Sequence, residues 1–176
     1  MVSLTVISEP NLFLRNKADF VVFIDLILVS LIDDMFWSME KNDGIGLAAN
    51  QVSVLQRIIV VNVPIEDKKL DSYTLHYKKF VLLNPEMIWN NNIKISSQEG
   101  CLSVPNISEK IFRFSRVLIR YQNLHGSFIH INSSCMLSFC FQHEIDHING
   151  ILFFDRLSYL KKTIIQKKLF KITKKL

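Results

Sequence analysis

The chain has 176 residues, 49% of them hydrophobic and 21% charged, with a formal net charge of +5. That composition excludes a disordered chain, and the length suffices for one domain, residues 1–176, with a core of its own. The three cysteines, Cys101, Cys135 and Cys140, are an odd set with two in apolar runs, which is no disulfide framework and suits a reducing cytosol. The positive charge is local. Lys161, Lys162, Lys167, Lys168, Lys171, Lys174 and Lys175 crowd the end of the chain, and no acidic residue follows Asp155. A basic tail on a near-neutral body gives no reason to expect a DNA partner.

Residues 1–18 are expected to be irregular, and Met1 to Pro10 lacks the basic start and apolar core of a signal peptide. Phe20 to Met39 is predicted to be a helix. Its run from Phe20 to Ile32, interrupted by Asp25, is too short to span a bilayer, which takes about 20 residues. It is therefore expected to be buried, with a partner surface as the other reading of its greasiness. Asp43-Gly44-Ile45-Gly46 should break that helix and lead into Leu47-Ala48-Ala49-Asn50-Gln51. Arg57 to Val63 and Phe80 to Asn84 are predicted strands ending at Pro64 and Pro85, joined by a charged surface connection over Glu66 to Tyr73. Asn90-Asn91-Asn92 is a polar turn. Val117–Tyr121 and Ser127–Ile131 flank Asn123-Leu124-His125-Gly126 as a hairpin. The last third is predicted helical: one helix through residue 148, a short linker at Phe153 to Leu157, and a basic helix over Tyr159 to Lys175. Helix, then strands, then helices make an α+β fold, with mixed or antiparallel strands around the helix that carries residues 143–147.

That helix holds Gln142-His143-Glu144-Ile145-Asp146-His147. Two histidines four residues apart project from one helical face and can grip one metal ion, while Glu144 falls near the same face and can reach a water on it. H-E-x-x-H is the pattern of metal hydrolases whose Glu is the general base. A chance match with hydrogen-bonded histidines is the bland alternative. Ser133 and Ser134 can cap the helix start, and Asn149-Gly150 can stop it, with Gly150 in a left-handed conformation. The preceding segment, Cys135 to Phe141, is almost wholly apolar, so the helix should be buried.

A hydrolytic metal usually takes three protein ligands and keeps one position for water. No Glu follows Glu144, and Phe153 stands where an extended H-E-x-x-H-x-x-G-x-x-H pattern needs its third His. Asp155 remains as a downstream candidate. Upstream, Glu99-Gly100-Cys101-Leu102-Ser103 offers a thiolate in a tight segment, a strong ligand for Zn²⁺ or Fe²⁺. Cys140 is a rival, but it lies about 10 Å from His147 along the helix axis and suits the core better.

Gly44-Ile45-Gly46-Leu47-Ala48-Ala49-Asn50-Gln51, Glu99-Gly100-Cys101-Leu102-Ser103 and Gln142-His143-Glu144-Ile145-Asp146-His147 resemble the three motifs of the peptide deformylases, in order. Asp33-Asp34-Met35-Phe36, Gln56 to Val60, Leu83-Asn84-Pro85 and Asp155-Arg156-Leu157 extend the likeness from about residue 9 onward. The resemblance implies removal of the formyl group from the N-terminal formylmethionine of nascent polypeptides, releasing formate, in a bacterial cytoplasm before an organelle. It implies one divalent metal ion on Cys101, His143 and His147, Fe²⁺ first, with Zn²⁺, Ni²⁺ or Co²⁺ able to use the same ligands. Glu144 would take the proton of a water activated by that ion and later deliver one to the leaving amine. The Leu102 backbone N–H and the Gln51 side-chain amide would donate to the developing oxyanion. Ile45, Gly46 and Gly100 would hold the peptide main chain like an added strand. Glu99 and Asp146 are expected to orient the site from behind. Ile45, Ile129, Cys135 and Phe139 are candidates for the methionine pocket.

Three residues depart from common family members: Ser108, expected in a loop after Pro105, and Cys135 and Ser138 on the metal helix. The basic tail reads two ways, as a solvated amphipathic helix packing Ile164, Ile165, Leu169 and Ile172, or as a contact to ribosomal RNA phosphates. Two other functions stay open on the sequence: an H-E-x-x-H metallopeptidase, and a ribosome-binding module with a non-catalytic metal.

Overall fold

A computed structural model describes residues 1–65 and 76–173. The segment expected to be a charged connection, Glu66 to Tyr73, and the terminal Lys174 and Lys175 lie outside the described residues. The helices are α1 (Leu26–Lys41), α2 (Cys135–Ile148) and α3 (Tyr159–Thr173). The strands are β1 (Gly46–Ala48), β2 (Ile58–Ile65), β3 (His76–Asn90), β4 (Lys94–Cys101), β5 (Val104–Phe114), β6 (Arg116–Gln122) and β7 (Phe128–Ser134). Single 3-10 turns cover Leu12–Arg15, Ala49–Val52 and Phe153–Arg156. The named strands pair antiparallel throughout, in a five-stranded sheet of order β1-β2-β3-β6-β7 and a separate β4–β5 hairpin. The chain is thus α+β, as expected.

Strand β2 explains how the layers assemble. Alternate side chains point to opposite faces of a strand. Ile59, Val61 and Val63 join Phe80, Leu82, Val117 and Ile119 under α2, against Phe141 and Ile148. Ile58 and Val60 turn the other way, with Leu83, onto Leu28, Ile32, Met35, Phe36 and Met39 of α1. A strand covered on both faces reads as a continuous apolar run, as Ile58 to Val61 does. A third cluster joins Val104 and Ile111 of β5 to Phe153, Phe154, Ile165 and Leu169, and ties α3 to the hairpin.

Several boundaries differ from expectation, each for a local reason. The first helix begins at Leu26, not Phe20, because Asp25 is its N-cap and accepts from Leu28 N at 2.8 Å. Residues before it are extended, and Val21 is clamped by Asn84, which donates to Val21 O and accepts from Val21 N. Nor is the whole run buried. Phe20, Val22, Phe23, Leu26 and Ile27 are 69–86% exposed, and the core takes Val21, part of Ile24 and the stripe from Leu28 to Met39. Proline does not end either strand. Pro64 pairs with Tyr77 beyond the end of β1, where that flank of β2 has no neighbour in the sheet among the described residues, and Pro85 sits in a register shift between Leu83 and Glu86.

At α2, Ser134 occupies the N-cap position without a side-chain bond, and Ser133 is buried in β7 instead. Gly150 does stop the helix, at φ +75°, and a Cβ there would lie 2.3 Å from the Arg15 carbonyl oxygen. The expected linker at Phe153 is a 3-10 turn with Phe153 and Phe154 buried. Ser108 belongs to β5, opposite Gly100, and not to a loop.

Candidate active site

β4 and β5 pair in regular register until Gly100, where the register shifts and the chain turns through Leu102 and Ser103. That turn delivers Cys101 to α2. Its Sγ lies 3.1 Å from His147 Nε2, which lies 3.2 Å from His143 Nε2. Among the described residues, Cys101, His143 and His147 form the group whose ligand atoms all fall within 4.8 Å of one another. Cys140 is outside that group although it borders the same cavity: it is buried, its Sγ lies 3.8 Å from the Ile45 carbonyl, and burial pushes its thiol well up. Asp155 is engaged with Arg15, Lys162 and the Leu152 N–H, away from the histidines.

The donor set fits one divalent ion. Bonds of about 2.0–2.1 Å to two tetrahedral nitrogens place those nitrogens about 3.3 Å apart, close to the spacing seen. His143 Nδ1 is bound to Glu99 Oε2 at 2.8 Å, which aims Nε2 at the group. Burial lowers the affinity of His143 for a proton, yet the Cys101 sulfur and Glu99 carboxylate raise its pKa well above the ordinary range. The position calls for a positive charge, which a metal supplies. His147, by contrast, is pushed well down by burial and by His143, so its ring is neutral.

Behind the donors lies a buried charge cluster in which Glu99 and Asp146, expected there, are joined by Arg113, which the sequence reading did not include. Arg113, 2% exposed, donates from Nε and Nη2 to the two Glu99 oxygens at 2.7 and 2.9 Å, and from Nη1 to Asp146. Arg156 donates to both Asp146 oxygens and shares Oδ2 with Arg113. Burial alone would raise Glu99, but the bonds from Arg113 and His143 and the Arg113 charge hold it at about 2. One signal was available. In Ile111-Phe112-Arg113-Phe114 the arginine shares the face of buried Ile111, and a charge at an inward register needs partners.

In front of the donors is a cavity of about 950 Å³. Ile45, Gly46, Gln51, Leu102, His143 and Glu144 are among the residues that line it, with Gly100, Met136 and Phe139 at its walls. Of the four methionine-pocket candidates, Ile45 and Phe139 line the cavity. Ile129 and Cys135 do not, being on β7 and at the exposed start of α2. Gln51 Oε1 accepts from Ala48 N at 2.9 Å, while its Nε2 donates to Ser103 Oγ at 3.1 Å and faces Cys101 Sγ at 3.6 Å. Glu144 is 3% exposed with Oε2 unpartnered, and burial lifts its carboxyl to about 7. Gly46 makes room for it: a Cβ there would stand 2.3 Å from Glu144 Oε1 and 2.9 Å from Cys140 Sγ.

A buried carboxyl beside two imidazoles and a thiol, open to a cavity, is the constellation of a one-metal hydrolase. Comparison with known proteins narrows this. A polypeptide deformylase family model matches residues 3–163. The peptide deformylase of Hahella chejuensis is 41% identical over 171 residues, covering 97% of this chain and 96% of that one. That of Acidobacterium capsulatum is 36% identical over 167 residues, covering 95% and 94%. The crystal structure of the Ehrlichia chaffeensis peptide deformylase superimposes with a TM-score of 0.88 at 35% identity, over 99% of this chain and 98% of that one. The same enzyme in complex with actinonin gives 0.87 at 36% identity, over 97% and 98%. The chain belongs to the polypeptide deformylase family. It is accordingly a metal-dependent hydrolase. No helix among the described residues is long and apolar enough to cross a membrane.

Proposed function

We propose that this chain removes the formyl group from the N-terminal formylmethionine of nascent polypeptides as a single catalytic domain, with Cys101, His143 and His147 as the metal ligands. The observation that carries the reading is the convergence of those three donors beside unpartnered Glu144 at the floor of one cavity. Fe²⁺ is the working ion in this reading, and Zn²⁺, Ni²⁺ and Co²⁺ fit the same sulfur and nitrogen donors. When bound, the ion supplies Lewis acidity toward the formyl oxygen and toward a water.

The protein's own groups supply the rest. Glu144, lifted to about 7 by burial, is poised to take a proton from water and pass it to the departing amine near neutral pH. Gln51 is locked at its Oε1 by Ala48 N–H, which turns its Nε2 toward Cys101, where an oxyanion would form. The Leu102 backbone N–H is the second donor in this reading. Ile45 and Gly46, at the start of β1, and Gly100, at the end of β4, flank the cavity and offer main chain to an extended peptide. Glu99, kept ionised by Arg113, orients His143.

Formate release from formyl-Met-Ala tests the reading. Anaerobically purified protein should release formate, lose that activity on chelation and regain it with Fe²⁺. Cleavage of an unformylated peptide would instead favour the metallopeptidase.

A further inference from the structure

A second cavity adjoins the catalytic one. Asn106, Ile107 and Ser108 of β5 line it, and the same three residues line a second cavity of about 600 Å³ between β5 and α3. The two spaces therefore meet across one strand. Glu109, in the second cavity, pairs across the hairpin with Glu99, whose carboxylate holds His143. One strand spacing, about 5 Å, thus separates the backbone behind the site from the edge of this groove.

The groove has a marked chemistry. Its α3 wall carries Lys161, Lys168 and Lys171 with Ile164, Ile165 and Ile172 between them. Lys161 is bound at 2.8 Å to Glu109, the one acidic residue in the lining among the described residues. Lys168 and Lys171 are exposed and lie on the helix that has no acidic residue. Cations alternating with aliphatic surface suit an extended polypeptide with acidic side chains. A nucleic-acid backbone would use the lysines and leave Ile164 and Ile172 without a partner, Ile165 being packed in the core.

We infer that the β5–α3 groove receives the substrate polypeptide a few residues beyond its methionine, and that Lys168 and Lys171 make the enzyme prefer acidic residues there. This rests on the deformylase reading above. A peptide leaving the catalytic cavity over Ile107 and Ser108 advances about 3.3 Å per residue, so the groove is met within the first several residues. Ser108 is exposed between the two cavities, and Gln98 donates to its Oγ at 3.0 Å.

The test compares formyl-Met-Ala-Ser-Gly followed by Asp-Asp, Asn-Asn or Lys-Lys, with formyl-Met-Ala as the short reference. At low salt kcat/KM should fall from Asp to Lys by about three- to tenfold, the range expected of two exposed charge contacts, and the difference should shrink at high salt. The double variant Lys168→Glu/Lys171→Glu should invert the order and leave formyl-Met-Ala unchanged. A flat order in the wild type, or the same order in the double variant, would overturn the inference while leaving the deformylase reading intact. So would a variant that loses co-sedimentation with ribosomes but keeps its peptide preference, since the groove would then be an RNA contact. No formate from any peptide, the short reference included, would remove the function itself.

Discussion

Arg113 shows how much of this site depends on one side chain whose bonds go to Glu99 and Asp146 and not to Cys101, His143 or His147. It satisfies two buried carboxylates at once, and each of those serves α2: Glu99 by holding His143, Asp146 by belonging to it. Removing one partner of a buried ion pair strands the other charge, at about 3–5 kcal/mol. Arg113→Leu should therefore lower the melting temperature by roughly 10 °C or more, and weaken metal binding about 10–100-fold, measured by thermal unfolding and metal titration. Arg113→Lys keeps the charge but loses the fork on Glu99, and should fall between. Glu144→Gln should retain the metal and lose about two to four orders of magnitude in kcat. Full activity in that variant would contradict its role as base. Cys101→Ala should release the metal on dialysis, whereas Cys140→Ala, in the core under the sheet, should keep it; metal analysis of the two separates ligand from packing.

At the scale of elements, α1 is started by one capping carboxylate and held by an apolar stripe, with Ser38 accepting from Leu4 N and Glu40 bound to Lys79 and Asn62. Asp25→Ala removes the acceptor for Leu28 N and should cost about 1 kcal/mol, or about 2–4 °C in melting temperature for a chain of this size. The same residue explains why the helix starts late: in the sequence Asp25 is an interruption of an apolar run, while in the fold it is the boundary. Strand β3 teaches a similar lesson. Asn84 and Pro85 look like an end, and a register shift turns them into a bend inside a longer strand. Such bends are decided by what lies alongside, here Val21 and the Arg57 guanidinium on the Pro85 carbonyl. By contrast, the stop of α2 at Gly150 was legible, because a left-handed residue pressed against the Arg15 carbonyl admits little besides glycine.

For the whole molecule, the chain ends are tied together by charge. Arg15, near the start, bridges Glu9 and Asp155, and Lys162 of α3 binds Asp155 from the other side. Burial would raise Asp155, but the bonds from Lys162, Leu152 N–H and Arg15 outweigh it and hold the carboxyl below its ordinary value. A carboxyl lowered in the folded state stabilises it fully above the unfolded value, and that stabilisation is lost as pH falls through the folded one. The melting temperature should thus drop as pH falls below about 4. Asp155→Asn should lower it near neutral pH and reduce that acid dependence. An unchanged acid slope would assign it to other carboxylates.

The sequence by itself determined the α+β class, the apolar runs of β2 and β3, the hairpin, and the helix bearing His143, Glu144 and His147, because each is written in local spacing. It also singled out Cys101 over Cys140, since axial rise along one helix limits what a single ion can reach. Only the tertiary structure decided that Arg113 stands behind Glu99 and Asp146, that Ser108 is part of a strand, and that Asn106, Ile107 and Ser108 border both the catalytic cavity and a second cavity against α3. Those are contacts between segments far apart in the chain. Their register is set by the packing of whole layers, and no local pattern of residues encodes it.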